Sequence, residues 1–177
     1  LTLGLNALLP SSIRVVEATE KPFSFHPTLD ASGKQYGYYL CLGNVQLPFH
    51  TLYSWHLHHS LDLPSMEKAA EFCIGTKDFS AFSPQHYDNP VCSIESISFH
   101  PLEEERLKIS VQGNRFLYKM VRQLVGLLVD VGKKKIPASE VADFFGAIKP
   151  KKEKMTAPAL GLYLEKVYYG KETEEFL

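Results

Sequence analysis

The strongest pattern of hydrophobic and polar positions lies between residues 115 and 131. Apolar side chains recur there with the 3.6-residue period of an α-helix, and on a helix they share one broad arc. The narrower opposite arc holds Lys119, Arg122, Gln123, Gly126 and Asp130. The pattern predicts an amphipathic helix from about Arg115 to Val131, ended by Gly132 and followed by three lysines that suit a helix C-terminus.

Arg122 lies at the border between the two arcs of this predicted helix. A guanidinium is always charged and presents five N–H donors in a planar fork. If the position is covered, the side chain requires a carboxylate or a phosphate. The simpler interpretation is a core helix with one arginine whose stem packs on apolar surface while its head reaches water. The pattern by itself favours that structural interpretation.

Shorter runs elsewhere have the alternation or continuous apolar character of β-strands. Strands are predicted at residues 13–18, 34–42, 91–99, 107–111 and 161–169, with a loop at 78–83. Two further helices are predicted, from Pro64 to about Ile74 with Ser65 as N-cap and from Pro137 to about Ile148. Because strands and helices interleave without strict βαβ alternation, we predict an α+β fold, with a largely antiparallel β-sheet flanked by helices.

Composition limits the classes of protein to which the chain can belong. Its 177 residues are 45% hydrophobic and 22% charged, enough for a buried core in one domain or two small lobes. The net charge of −1 means that a nucleic-acid partner would need a local basic patch. No apolar run approaches the ~20 residues of a transmembrane helix, and no export signal is visible.

Cysteine and histidine usage bears on compartment and metal binding. The three cysteines, Cys41, Cys73 and Cys92, are widely spaced and odd in number, which is typical of free thiols in a reducing cytoplasm. His56, His58 and His59 lie close together, but no cysteine is near them and no second ligand cluster has zinc-site spacing. We therefore expect no metal site and a cytoplasmic protein.

Several stretches, in their order and spacing, resemble the tRNA pseudouridine synthase A family. They are Leu5 to Val15, Phe25 to Tyr38, Gly75 to Phe82, Phe116 to Gly126, and Thr156 to Leu164, which runs Thr-Ala-Pro-Ala-Leu-Gly-Leu-Tyr-Leu. The resemblance covers nearly the whole chain. Each motif is weak by itself, whereas five in register are strong. Two departures are Pro27-Thr28, where members often have Ala-Arg, and Gly37, where a larger residue is usual.

The resemblance implies a fold, a reaction and partners. The fold is the C-terminal half of a pseudouridine-synthase-like domain. The reaction is the isomerisation of uridine to pseudouridine in the anticodon stem-loop of tRNA, without metal or organic cofactor. The family enzyme acts as a homodimer. Its nucleophile is an Asp in a Gly-Arg-Thr-Asp stretch that does not occur in this sequence. Since the chain also begins with Leu1, we expect residues 1–177 to be a single catalytic-domain fragment that lacks the family's N-terminal lobe and, alone, is inactive.

The resemblance also carries roles for four residues. Arg122 matches the ion-pair partner that keeps the nucleophilic carboxylate charged. Tyr36 matches the tyrosine that lies against the target base. Leu162 matches an apolar wall of that pocket, and Lys34 matches a basic position that meets a phosphate. We expect Arg122 and Tyr36 to lie within a few ångströms of each other at the floor of a cleft.

Structural interpretations of these residues remain open at this point. Tyr36 also fits a half-buried strand tyrosine, and Lys34 a solvated surface cation. The alternatives to an enzyme are a non-catalytic RNA-binding module and a dimerisation module. The RNA-binding module would use Tyr36, Lys34 and the basic stretches at residues 133–135 and 149–154.

Overall fold

The computed structural model describes residues 1–145 and 154–170, which form two compact units, Leu1–Asp30 and Ala31–Leu177. In the first unit, α1 spans Thr2–Leu8. The strand predicted at residues 13–18 is wrong. The Asn6 side-chain amide bonds both the N–H and the carbonyl of Val15 at 2.8 Å, so the backbone of Val15 is not available to a neighbouring strand.

The second unit is built on a six-stranded sheet. Its strands are β1 (Ala31–Cys41), β2 (Trp55–His56), β3 (Gly75–Asp78), β4 (Val91–Leu102), β5 (Arg106–Gly113) and β6 (Leu162–Tyr169). The order is β2-β1-β5-β4-β3, with β6 paired to β1. All pairings are antiparallel except the short β1–β2 pair, which confirms the predicted α+β class.

Helices α2 (Leu63–Glu71) and α3 (Met120–Gly132) cover one face of this sheet. Alternate residues of β1 and β5 supply the sheet side of the core, and α3 supplies the helix side. The fully buried side chains include Tyr38, Leu40, Ile109, Val111, Leu124, Leu127 and Leu128. Residues 138–145 form a 3₁₀-helix within the second helix predicted from Pro137, and the rest of that prediction lies outside the described residues.

Helix α3 differs from its prediction at both ends. It begins at Met120, five residues later than expected, because Lys119 adopts the left-handed conformation with φ of 61°. Gly132 is the last residue inside the helix rather than the residue that ends it. Asp130 and Gly126, which were predicted on the polar arc, are buried. The helix is therefore covered on most of its circumference, and the simple amphipathic prediction is wrong for this arc.

Two smaller predictions also change. Helix α2 is capped by Asp62, whose carboxylate accepts a hydrogen bond from the Ser65 N–H at 3.2 Å, and not by Ser65. The predicted loop at 78–83 holds the last residue of β3 and a 3₁₀-turn, and its Phe79 and Phe82 are fully buried. All three cysteines are buried and free. Among the described residues, no helix is long and apolar enough to cross a membrane.

Candidate active site

The first half of α3 is covered by residues 154–158, which lead towards β6 and which we call the covering segment. Gly126 lies under this segment, and a Cβ atom built on it would overlap the carbonyl oxygen of Met155. Ala157 is fully buried, and its N–H donates to the carbonyl oxygen of Arg122 at 3.0 Å. Glycine at position 126 is what allows this close approach of two backbones.

Arg122 is bound to the covering segment by its side chain as well. Its Nε donates to the Ala157 carbonyl oxygen at 2.6 Å. In the described part of the chain, no carboxylate lies within 4.0 Å of the half-buried guanidinium, and no residue accepts a hydrogen bond from its Nη1 or Nη2. A guanidinium held through Nε keeps its two-pronged outer edge for an anion.

Tyr38 lies beside this arginine and was not among the predicted site residues. It is fully buried on β1, and its hydroxyl donates to the Pro158 carbonyl oxygen at 2.7 Å. Burial raises the pKa of Tyr38, and the positive charge of Arg122 offsets part of that rise in pKa. Tyr38 is therefore neutral at physiological pH and serves as a second anchor for the covering segment.

Leu162, the predicted apolar wall, is the first residue of β6 and pairs with Tyr38 on β1. It is half-buried against the core. The preceding Gly161 sits so close to Tyr38 that an added Cβ would be 2.8 Å from its Cε1 atom. The structure thus brings Leu162 to the same neighbourhood as Tyr38 and Arg122, while its contact with a base stays a prediction.

Tyr36 lies two residues before Tyr38 on the same side of β1, about 6.8 Å away along the strand. It is half-buried, and its ring meets the ring of Phe116 edge-on, with centroids 5.1 Å apart and planes at 80°. Burial raises the pKa of Tyr36. Tyr36 and Arg122 are therefore on the same, helix-covered side of the sheet, whereas their direct approach stays a prediction.

Lys34 occupies the next position of this alternation on β1. It pairs with Gly113 on β5 and with Val167 on β6, and it is half-buried. Strand alternation places its side chain on the same side as Tyr36. No carboxylate of the described residues forms an ion pair with it. Its contact with a phosphate also stays a prediction.

The aspartates of the chain have structural explanations or lie in the open. Asp30 and Asp78 accept hydrogen bonds from nearby backbone N–H groups, at 2.8 and 2.7 Å, and Asp62 caps α2. Asp130 is buried, with its Oδ1 3.4 Å from Nζ of Lys135. Asp88 and Asp143 are exposed. Every aspartate of the chain is described, and none forms an ion pair with Arg122.

The covering segment is anchored at its start by Lys154. The Lys154 ammonium donates to the carbonyl oxygen of Ala81. It also lies 4.7 Å from the ring centroid of Phe82 and 5.5 Å from that of Phe144, within the range of cation–π attraction. Burial lowers the pKa of Lys154. Sequence analysis had assigned this lysine to the basic stretch at residues 149–154, the remainder of which lies outside the described residues.

The residues that sequence analysis missed act through non-local contacts. Tyr38, Gly126 and Ala157 all lie within stretches quoted for the family resemblance, but nothing in their local pattern signals a shared contact. The only available signal was a glycine in the middle of a helix, which costs stability unless packing requires it. In the described residues, no group of three or more His, Cys, Asp and Glu side chains is arranged to hold a metal ion.

Comparison with known proteins adds to this geometry. A family model described as tRNA pseudouridine synthase matches residues 69–170. The chain is 40% identical to tRNA pseudouridine synthase A 2 of Protochlamydia amoebophila, over 94% of this chain and 65% of that protein. It is 37% identical to tRNA pseudouridine synthase A 1 of the same organism, over 97% and 69%. It is 40% identical to tRNA pseudouridine synthase A of Acetivibrio thermocellus, over 94% and 68%. The chain thus spans about two thirds of the length of these relatives.

Proposed function

The chain belongs to the tRNA pseudouridine synthase family, and we propose that it carries one side of the active site of such an enzyme. The proposed reaction isomerises uridine to pseudouridine in the anticodon stem-loop of tRNA. The uracil is detached from C1′ of the ribose, rotated, and joined again through C5. A base inside a helical stem must leave its stack to reach such a site, at a cost of a few kcal/mol.

The observation that carries the proposal is the state of Arg122. Its Nε is fixed by Ala157 while Nη1 and Nη2 have no partner among the described residues. We assign to Nη1 and Nη2 the carboxylate of a nucleophilic Asp. A carboxylate enclosed in a nucleotide pocket loses solvation, which raises its pKa and favours the neutral form. A guanidinium fork keeps it ionised, and therefore nucleophilic, and fixes its orientation.

We place that Asp outside the 177 residues printed here. The Gly-Arg-Thr-Asp stretch that the family resemblance implies is absent from them, and the relatives are longer than this chain. The aspartates that are present cap helices, close turns, lie buried with a lysine or stand in solvent. Each of these places is unsuited to an in-line attack beside Arg122.

Three other side chains have proposed roles in holding the substrate. Tyr36 supplies a flat ring with a polar tip, against which a flipped uracil can stack. Leu162 supplies an apolar wall beside it, and Lys34 supplies a cation for a phosphate next to the target nucleotide. The common side of β1 that Tyr36 and Lys34 share, together with the position of Leu162 opposite Tyr38, supports this arrangement.

The test is a tritium-release assay on unmodified tRNA with labelled uridine in the anticodon arm. It uses the natural protein that contains this chain, the 177-residue chain alone, and the variants Arg122→Ala and Arg122→Lys. We expect turnover by the natural protein, none by the chain alone, and a loss in Arg122→Ala of about 10²–10⁴-fold, since removing one partner of a buried ion pair costs about 3–5 kcal/mol. Arg122→Lys keeps the charge without the fork and should lose less.

The matched control is Arg106→Lys on β5, whose arginine bonds a nearby loop carbonyl and lies close to Glu104. Its activity should equal that of the natural protein. Turnover by the isolated chain would place the nucleophile among the printed residues and overturn the assignment of roles. A natural protein that binds tRNA but releases no tritium would favour the alternative, a non-catalytic RNA-binding module.

We further propose a cytoplasmic homodimer. Three buried free cysteines suit a reducing compartment, which is also where tRNA substrate is found. The family resemblance implies the dimer. Among the described strands β6 pairs only with β1, and strand edges can recruit a second chain. Sedimentation equilibrium of the natural protein should give twice the mass of one chain, and a monomer at micromolar concentration would contradict the dimer.

A further inference from the structure

A basic hollow lies at the far end of α3 from Arg122. It has a volume of about 850 Å³ and is open to solvent. One wall is the end of α3 and the three lysines that follow it, Lys133, Lys134 and Lys135, and the other is the loop from His58 to Asp62. The hollow shares no residue with the candidate active site, and the proposed reaction makes no use of it.

The hollow carries a net positive charge, and its lysine ammonium groups are only weakly paired with carboxylates. Three ammonium groups face two carboxylates. Nζ of Lys134 lies 3.7 Å from Asp62, and Nζ of Lys135 lies 3.4 Å from Asp130, both beyond the usual length of a charged hydrogen bond. Asp62 also caps α2, whereas Asp130 is buried and has Lys135 as its charge partner. The side chains of Lys134 and Lys135 remain 77% and 63% exposed, so both ammonium groups can turn to a ligand.

Lys133 lies beside the half-buried ring of Trp55, and His58 lines the opposite wall of the hollow. Nζ of Lys133 lies 5.7 Å from the ring centroid of Trp55, and the rings of His56 and His58 lie 4.0 Å apart. Burial, followed by repulsion from Lys135, lowers the pKa of Lys133. Crowded cations beside aromatic and imidazole rings are a chemistry that binds nucleic-acid backbones, and an anion placed between the lysines would relieve their repulsion.

We propose that this hollow binds phosphodiester groups of the tRNA backbone at a distance from the target uridine. The inference rests on the proposed function for its ligand. Arg122 and Gly132 are ten residues apart on one helix, or about 15 Å. A stacked strand covers that distance in four to five steps of about 3.4 Å each. The rigid helix therefore fixes the spacing between the candidate active site at Arg122 and a phosphate held at Lys134 and Lys135.

A structural explanation exists for the same lysines, because cations near a helix C-terminus stabilise the helix dipole. The two explanations predict different results. If the lysines only stabilise α3, removing them lowers the melting temperature and leaves tRNA binding and its salt dependence unchanged. If they bind phosphates, removing them weakens binding and flattens its dependence on salt.

The experiment measures tRNA binding by fluorescence anisotropy over a range of salt concentrations, with the natural protein and the double variant Lys134→Gln/Lys135→Gln. The control pair, Lys21→Gln/Lys68→Gln, removes the same charge from exposed positions in the first unit and on α2. We expect Kd to rise about tenfold in the first pair, with the slope of log K against log salt lowered by about 1.4 for two lost contacts. The control pair should change Kd less than twofold.

Two further readouts keep the inference separate from the proposed function. At saturating tRNA the first pair should retain the natural kcat, with only KM raised, and Lys134→Arg/Lys135→Arg should bind like the natural protein. Equal losses of tRNA affinity in both glutamine pairs, or an unchanged salt slope in the first pair, would overturn the proposal that the hollow binds phosphates. If the natural protein makes no pseudouridine, the proposed function fails. The comparison of tRNA binding between the two glutamine pairs still decides whether the hollow binds phosphates. Should the first glutamine pair unfold, the single variant Lys134→Gln, at the most exposed of the three lysines, decides by its salt slope.

Discussion

The two ends of α3 carry cations of very different character. At the first turn, Arg122 is half-buried, its backbone and its Nε are both bonded to Ala157, and Gly126 lets the covering segment close over it. Just beyond the last turn, Lys134 and Lys135 are exposed and reach their carboxylates only at 3.7 and 3.4 Å. The pattern of residues alone showed both sites only as positive charges on or just after one helix.

The two kinds of cation suit different ligands at the two ends of α3. A guanidinium fixed by a backbone carbonyl selects one anion in one orientation, which suits a catalytic carboxylate. Flexible ammonium groups in an open hollow attract any backbone phosphate and give affinity without orientation. Changes at the first end should therefore act on kcat and on stability, and changes at the second on tRNA affinity.

The most damaging change at the Arg122 end is Gly126→Val. Its Cβ and methyl groups would overlap the Met155 carbonyl oxygen and force the covering segment away, which removes the bonds between Arg122 and Ala157. Overpacking of a tight core costs about 1–3 kcal/mol. We expect the free energy of unfolding to fall by about this amount in urea denaturation, and tritium release to fall at least as far as in Arg122→Ala.

A matched glycine change is available in α1. A Cβ on Gly4 would meet nothing within 4 Å, so Gly4→Ala should leave stability unchanged or raise it by about 0.5–1 kcal/mol. If Gly126→Val were as stable and as active as Gly4→Ala, the covering segment would have no role in holding Arg122.

Tyr38→Phe tests the second anchor of the same segment. It removes the hydroxyl that donates to the Pro158 carbonyl and leaves the ring in the core. Loss of a buried hydrogen bond costs about 1–3 kcal/mol when one partner is left unsatisfied. Denaturation should show this loss with kcat lowered more than KM is raised, whereas Tyr39→Phe, on the opposite side of β1, should leave kcat unchanged.

Lys154→Met separates the charge of Lys154 from its packing. Because burial lowers the pKa of Lys154 in the folded state, the folded protein releases its proton before the unfolded chain does. The natural protein should therefore gain stability relative to Lys154→Met as pH rises from the lowered folded-state pKa to the unfolded value of about 10.4. Urea denaturation of both proteins between pH 7 and 10.5 measures this difference, and a constant difference would contradict the burial of the ammonium.

Tyr36 should give the smallest effect on stability. Tyr36→Phe keeps the ring that meets Phe116, while Tyr36→Leu removes an edge-on aromatic pair worth about 0.5–1.5 kcal/mol. If the ring stacks on the target base, Tyr36→Leu should lose kcat/KM far beyond this change in stability, and Tyr36→Phe should lose less. Equal kcat/KM in Tyr36→Leu and the natural protein would mean that Tyr36 has a structural role and does not contact the base.

Local pattern predicted the elements better than it predicted their surroundings. The period of α3, the antiparallel pair β4–β5 and the strand that holds Tyr36 were all evident, because each depends on alternation within one segment. The strand at 13–18 failed because a single distant side chain, Asn6, satisfied the backbone of Val15. The polar arc of α3 failed because residues some 30 positions downstream cover Gly126.

The candidate site shows the same division. The roles of Arg122, Tyr36, Leu162 and Lys34 came from a family resemblance, and pattern alone had favoured structural roles for Arg122 and Tyr36. The residues that hold Arg122 in place, Ala157 above all, contribute backbone atoms, which leave no chemical signature in a sequence. The packing of Lys154 was not predicted, because its partner ring Phe82 lies far away along the chain.

A map of pseudouridine in cellular tRNA measures most directly whether this protein modifies the anticodon arm and needs Arg122 to do so. A strain that lacks the gene for this protein would be complemented with the natural gene, with Arg122→Ala or with Arg106→Lys. We expect pseudouridine to disappear from the anticodon arm in the deletion strain, to return with the natural gene and with Arg106→Lys, and to stay absent with Arg122→Ala. The proposed function is contradicted if the anticodon arm keeps its pseudouridine in the deletion strain. The proposed role of Arg122 is contradicted if Arg122→Ala restores pseudouridine fully.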